Sequence, residues 1–151
     1  MSVVTFHTHA RDPLGYTCRL LRKAVQLGSR VSVTGEPARL HELDVALWTF
    51  APQEFLPHCW DSSSAAMRTV SPIVLHANGQ TAPAVAPVLL HLGGALPEPL
   101  QRPGQEGGLL GQFGKIIEVV GQGDDALREA RQRWRTYLAQ GHTVQHHTVT
   151  T

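Results

Sequence analysis

The sequence predicts an α/β fold, a three-layer sandwich in which a mainly parallel sheet lies between helices. Segments in which apolar and polar residues alternate, as in strands, are interspersed along the chain with segments of helical periodicity. One strand-like segment, residues 85–92, is largely apolar, as expected of a strand buried on both faces of a parallel sheet. The hydrophobic share of 42% is enough for the core of one domain that spans residues 1–151.

The first strand and the first helix have the clearest boundaries. Residues 3–9 alternate apolar and polar side chains, which predicts a strand. Asp12 is a good N-cap, and Pro13 suits the first helical position. A helix is therefore predicted to begin here and to end at about residue 27, because Gly28 is a natural stop.

The rest of the chain continues this alternation of strands and helices. The predicted elements, in order, are a strand over residues 30–34, a helix over 35–51, a polar loop over 58–71, strands over 73–76, 85–92 and 115–120, a helix over 125–140 and an edge strand over 142–148. Residues 98–114 contain several prolines and glycines, so a helix is predicted for only part of this segment.

The charge and the lack of targeting segments limit the classes of function. The formal net charge is +1, whereas a protein that holds DNA over a broad surface usually has a larger basic excess. Contact with DNA is therefore expected to be indirect. No signal peptide and no run of about 20 apolar residues is visible. We expect a cytoplasmic protein without membrane association, in which Cys18 and Cys59 are reduced thiols.

The sequence lacks signatures of catalysis and of metal binding. It has no nucleophile elbow and no phosphate-binding loop, and residues 10–13 after the first strand are not a glycine fingerprint. His7 and His9 are expected on the same side of the first strand, but the sequence has no CxxC pair of the kind usual in zinc sites. We expect no catalytic residue, no cofactor and no metal. A small α/β nucleotide-binding enzyme remains the alternative, because a fold does not determine a function.

The final helix combines an apolar face with a row of arginines. At about 100° per residue, one broad face holds Leu127, Ala130, Trp134, Tyr137 and Leu138. Arg131 lies at the edge of that face, with Arg128 and Arg135 just beyond. Guanidinium groups beside an indole suit a peptide with a carboxylate and an apolar side chain, because arginine can bind both carboxylate oxygens. The simpler interpretation is an amphipathic helix with solvated arginines. Direct binding of single-stranded nucleic acid is a further hypothesis, which the low net charge disfavours.

Aromatic residues are concentrated in a second segment. Four of the nine aromatics of the chain fall within thirteen residues, at Trp48, Phe50, Phe55 and Trp60. Several lie in a proline-containing segment instead of a regular element. Aromatic side chains are enriched at protein interfaces, so the segment is a candidate docking surface. The alternative interpretation is that they cap the edge of the sheet and belong to the core.

Both segments resemble the chi subunit family of bacterial DNA polymerase III. In the first, a helix that ends in the pattern LD..LW is followed by F.PH, matched by Leu43, Asp44, Leu47, Trp48, Phe55, Pro57 and His58. In the second, the pattern AR.R[WY]..Y...G is matched by Ala130, Arg131, Arg133, Trp134, Tyr137 and Gly141. The resemblance extends over nearly the whole chain and is weakest over residues 77–114.

The resemblance implies a fold, a function and two partners. The fold would be Rossmann-like without a nucleotide site, and the chain would be a non-catalytic accessory subunit associated with the clamp loader in DNA replication. One surface would bind the psi subunit. Another would bind the acidic C-terminal tail of single-stranded-DNA-binding protein, which ends in Pro-Phe.

The resemblance also assigns residues to these two surfaces. For the tail of the single-stranded-DNA-binding protein they are Arg128, Arg131, Trp134, Arg135, Val120 and His146. For the psi subunit they are Trp48, Phe50 and Phe55. One position departs from the family: Leu127 stands where a basic residue is common, one turn before Arg131, and Arg128 is its neighbour.

Overall fold

A computed structural model of the chain describes residues 2–49, 56–102 and 105–150, with the backbone alone described for residues 105–107. The strands are β1 Val3–Ala10, β2 Val31–Thr34, β3 His58–Trp60, β4 Ile73–His76, β5 Val88–His91, β6 Lys115–Gly121 and β7 Thr143–Thr148. The α-helices are α1 Pro13–Gln26, α2 Pro37–Thr49, α3 Ala65–Val70 and α4 Asp124–Ala139, and two 3₁₀ helices cover Glu98–Gln101 and Gln105–Gln112.

The strands form one seven-stranded sheet in the order β3-β4-β2-β5-β6-β1-β7. Every neighbouring pair is parallel. The carboxyl ends of the strands therefore lie along a common edge. This arrangement confirms the predicted α/β sandwich, and β7 confirms the predicted edge strand.

Helices α1 and α2 pack on one face of the sheet. They share a core with side chains of the central strands, formed by Cys18, Leu21, Val31, Val33, Leu40, Leu43, Leu47, Leu56, Ile73, Leu75, Leu90, Leu92, Ile117 and Val119. Helix α1 begins as predicted, because the Asp12 carboxylate accepts a hydrogen bond from the Gly15 amide at 3.1 Å and Pro13 occupies the first turn.

Helix α4 and the 3₁₀ segments pack on the other face. Their core contains Val4, Phe6, Leu89, Leu96, Leu100, Leu110, Phe113, Ile116, Val120, Ala130 and Tyr137. Alternate residues of β6 belong to the two cores, with Ile116 and Val120 here and Ile117 and Val119 opposite. This alternation is the reason that buried parallel strands have almost continuously apolar sequences.

Over the described residues, 98–114 contain two 3₁₀ helices, which agrees with the prediction of a helix in part of this segment. Two other local predictions were wrong. Residues 58–71 are not a loop, because they contain β3 and α3. Leu138 was expected on the buried face of the last helix, but it is 53% exposed. The buried positions of α4 are Ala130, Arg133 and Tyr137.

Candidate functional site

A small apolar cavity lies between α4 and the two strands at one side of the sheet, β1 and β7. Its volume is about 200 Å³, which is below the usual size of a site for a drug-sized ligand and suits one bulky side chain. It is lined by Phe6, Thr8, His9, Leu127, Ala130, Arg131, Trp134 and His146. We call it the Trp134 cavity.

Trp134 forms one wall of this cavity and is partly buried. Its ring centroid lies 5.0 Å from that of Phe6 and 6.5 Å from that of His146. Arg131 lines the same cavity and is exposed to solvent. The arrangement can hold an apolar side chain inside the cavity while the guanidinium binds an anionic group at the mouth.

The buried side of α4 fixes the orientation of this helix. Arg133 Nε donates to both Glu118 carboxylate oxygens, at 3.0 and 2.8 Å, and Tyr137 Oη donates to the same carboxylate at 2.7 Å. Arg133 Nη1 also donates to the Gly94 carbonyl at 3.1 Å. Because Arg133 and Tyr137 are held on this side, Arg131 and Trp134 are presented on the cavity side of the helix.

This buried network changes the pKa values of its members. Burial acts to lower the pKa of Arg133, but the adjacent Glu118 carboxylate outweighs it, so the pKa is raised and the guanidinium stays charged. Burial and the Glu118 carboxylate together raise the pKa of Tyr137 well above its ordinary value. The Arg133 guanidinium is therefore positively charged near neutral pH.

His9 has an unusual backbone conformation beside the cavity. Its φ is 62°, and among the described residues it is the one non-glycine residue with positive φ. The pairing of β1 with β6 shifts register between His7 and Ala10. Strand alternation predicted His9 on the same side as His7, which is wrong: His9 lines the Trp134 cavity together with Thr8, whereas His7 contacts Tyr16 and His147.

The cavity includes some of the residues assigned from the sequence and excludes others. Arg131, Trp134 and His146 line it. Arg128 is exposed and pairs with Asp125 at 3.0 Å, and Arg135 is exposed on the next turn. Val120 is 3% exposed and belongs to the core.

Three residues that line the cavity, Phe6, Thr8 and His9, were not among those assigned from the sequence. Phe6 and Thr8 have the strand parity of Val4, so their face could have been inferred once the packing of α4 was known. The position of His9 depends on a register shift that leaves no signal in the sequence.

The aromatic segment provides a second surface, of which the structure describes a part. Trp48 is 54% exposed, and its ring centroid lies 4.6 Å from that of buried His58. His58 is fixed by Asp44 Oδ1, 2.7 Å from its Nε2, and by the Leu56 carbonyl, 2.8 Å from its Nδ1. The other two residues assigned to this surface, Phe50 and Phe55, lie outside the described residues. We call the exposed indole and the histidine under it the Trp48 surface.

The carboxyl edge of the sheet carries a further cavity of about 450 Å³, next to α4. Its lining includes Glu36, Gly94, Glu129 and Arg133. Two carboxylates beside a guanidinium already held by Glu118 disfavour a phosphate group there. Across residues 2–49, 56–102 and 105–150, no cluster of three or more acidic, histidine or cysteine side chains could hold a metal ion. Within the same ranges, no helix is both long and apolar enough to span a bilayer.

Comparisons with known proteins agree with the resemblance read from the two segments. A family model described as DNA polymerase III chi subunit, HolC, matches residues 1–145. A relative from Pseudomonas aeruginosa, named DNA polymerase III subunit chi, is 29% identical over 135 residues, which cover 89% of this chain and 84% of the relative. The chain therefore belongs to the DNA polymerase III chi subunit family, and its role is that of an accessory subunit in DNA replication.

Proposed function

We propose that this chain connects the replicative polymerase to DNA-bound single-stranded-DNA-binding protein by holding the acidic C-terminal tail of that protein in the Trp134 cavity. The observation that carries this proposal is one apolar cavity with an indole wall and an exposed guanidinium at its rim. A chain end with an apolar last residue requires both features, because its side chain and its carboxylate are attached to the same carbon atom.

The proposed binding mode follows from the chemistry of the lining. The terminal phenylalanine enters the cavity that Trp134 and Phe6 line, where ring contacts and burial of apolar area stabilise it. The terminal carboxylate binds the Arg131 guanidinium, in a charge-assisted hydrogen bond that is stronger than a neutral one. Acidic residues upstream in the tail are attracted by Arg135 and Arg128, both exposed on the same helix.

We also propose the Trp48 surface as the docking site for the psi subunit or another clamp-loader subunit. The half-exposed indole lies on His58, whose ring nitrogens lie 2.7 Å from Asp44 Oδ1 and 2.8 Å from the Leu56 carbonyl oxygen. A rigid aromatic side chain of this kind loses little entropy on binding, so it suits an interface centre.

A peptide titration tests the tail site. A fluorescent peptide with several aspartates and a C-terminal Pro-Phe is titrated with the unaltered protein and with Trp134→Ala. We expect the alanine variant to lose about 1–3 kcal/mol of binding free energy. Trp48→Ala is the matched control, since it removes the same side chain from a helix on the other face of the sheet, and its affinity should be unchanged. Binding should also weaken as salt is added, because part of it is ionic.

A second peptide tests whether the chain end itself is recognised. With an amidated C-terminus the peptide keeps its aromatic side chain but loses the carboxylate proposed to bind Arg131.

Equal affinity of the Trp134→Ala variant and the unaltered protein for the first peptide would reject the cavity as the tail site.

A further inference from the structure

The strand that forms the floor of the Trp134 cavity is distorted at one residue. In a regular strand, His9 would lie on the face opposite Thr8. The left-handed backbone at His9, with φ 62°, and the register shift before Ala10 turn its side chain to the face of Thr8 instead. Both residues consequently line the cavity. Non-glycine residues rarely adopt such a conformation, and they concentrate at functional sites when they do.

The two imidazoles of the cavity are joined through one hydroxyl group. Thr8 Oγ1 lies 2.9 Å from His9 Nδ1 and 2.6 Å from His146 Nε2. A hydroxyl has one proton to donate, so when both imidazoles are neutral it donates to one of them and accepts from the other. When both are protonated, it accepts from both. The contacts of Thr8 therefore allow both histidines to carry positive charge at the mouth of the cavity.

Both histidines are exposed, so a ligand can reach them. The titratable groups that line the cavity are His9 from β1, His146 from β7 and Arg131 from α4. Each contributes positive charge or none, and no carboxylate lines the cavity. On the adjacent strand β6, Glu118 is held by Arg133 and Tyr137. A protonated imidazole at the mouth of the cavity is consequently free to pair with an anionic group of the ligand.

We propose that His9 is a specificity-determining residue that, with His146, binds an acidic side chain of the peptide, on the strand side of the cavity and apart from the carboxylate held by Arg131 on the helix side. This inference rests on the proposed function. It assigns the acidic character of the tail to a particular contact, and it predicts that affinity rises as the pH falls, because a protonated imidazole attracts a carboxylate.

The experiment compares two peptides at pH 6 and pH 8 and at constant ionic strength. Both end in Pro-Phe; one carries aspartates upstream and the other carries asparagines at those positions. For the unaltered protein, we expect the affinity for the aspartate peptide to rise about threefold to tenfold from pH 8 to pH 6, because the imidazoles gain charge while aspartate stays ionised. The asparagine peptide should show no such rise.

The decisive variant is His9→Asn, because asparagine tolerates a left-handed backbone and can still bond to Thr8 but cannot become cationic. It should bind the aspartate peptide at pH 8 about as well as the unaltered protein and lose most of the gain at pH 6. His147→Gln is the matched control: it removes the neighbouring histidine of β7, which contacts His7 instead of the cavity, and should keep the gain.

The possible failures of the two proposals are distinguishable. If His9→Asn keeps the full pH dependence, or if the asparagine peptide shows the same rise, the role of His9 is overturned while the tail site stands. If neither peptide binds the unaltered protein at either pH, or if binding is insensitive to Trp134→Ala, the proposed function itself fails and the role of His9 fails with it.

Discussion

The two sides of α4 use the same residue type for different purposes. Arg133 is 8% exposed and bonded to Glu118, whereas Arg131, two residues earlier, is exposed at the rim of the Trp134 cavity. Tyr137 and Trp134 form a similar pair, since the hydroxyl of Tyr137 is bonded inside the core and the indole of Trp134 borders open space. The comparison shows that the charge of an arginine says little about its role until its counter-charge is known.

The largest expected effect comes from the buried side. Glu118→Gln keeps the shape of the side chain but leaves the Arg133 guanidinium buried without a negative partner. We expect the free energy of unfolding to fall by about 3–5 kcal/mol, the usual cost of breaking a buried ion pair. Urea unfolding followed by tryptophan fluorescence measures it. Arg131→Gln is the control and should change stability by no more than about 0.5 kcal/mol. Similar losses in the two variants would contradict the distinction between the two sides.

A pH-dependent loss of stability is expected next, also from the buried side. His91 shares the Gly94 carbonyl with Arg133, since its Nε2 lies 2.9 Å from that oxygen, and its Nδ1 lies 2.8 Å from Thr34 Oγ1. Burial lowers the pKa of His91 below 6.5, the value it regains on unfolding. The unfolded chain therefore takes up the proton more readily, so the stabilisation is present above about pH 6.5 and is lost as the pH falls from there.

The size of this effect can be bounded. One such histidine removes up to about 2 kcal/mol between pH 6.5 and pH 5. The free energy of unfolding should be measured at pH 7.5 and pH 5 for the unaltered protein and for His91→Gln, which retains a donor and an acceptor but does not titrate. We expect a smaller decrease in the variant. An equal decrease would show that His91 is not the responsible group.

The third effect concerns affinity and tests the cavity side alone. Arg131→Gln should lower the affinity for the acidic peptide about tenfold, which corresponds to about 1.4 kcal/mol. Arg128→Gln should lower it less than about threefold, because Arg128 pairs with Asp125 and does not line the cavity. Equal losses would mean that the row of arginines acts as a diffuse positive charge and that no single guanidinium is selected.

The smallest effect is expected at the border between the two sides. Leu138→Gln should change the free energy of unfolding by about 0.5 kcal/mol or less, because Leu138 is 53% exposed. Tyr137→Phe, at the preceding position, removes a hydrogen bond to a buried carboxylate and should cost about 1.5–3 kcal/mol. Thermal or urea unfolding of the two variants makes this comparison. A larger loss of unfolding free energy in Leu138→Gln than in Tyr137→Phe would show that the border between the two sides of α4 is assigned incorrectly.

The general architecture could be predicted because buried strands and amphipathic helices leave strong periodic signals. The elements β3 and α3 were missed because three and six residues are too few to establish a period. Arg133 was not recognised as buried because its partner, Glu118, is fifteen positions away on another element, and spacing alone cannot pair them. The cavity could be placed on α4 from the sequence, but its strand side depended on how α4 packs against β1 and β7.

The sheet order separates the two surfaces proposed for partners. His58, which supports Trp48, belongs to β3 at one edge of the sheet. His146, at the Trp134 cavity, belongs to β7 at the opposite edge. Six inter-strand steps of about 4.8 Å put roughly 29 Å between those strands. The two proposed surfaces therefore do not overlap, so a partner bound at one leaves the contact residues of the other accessible.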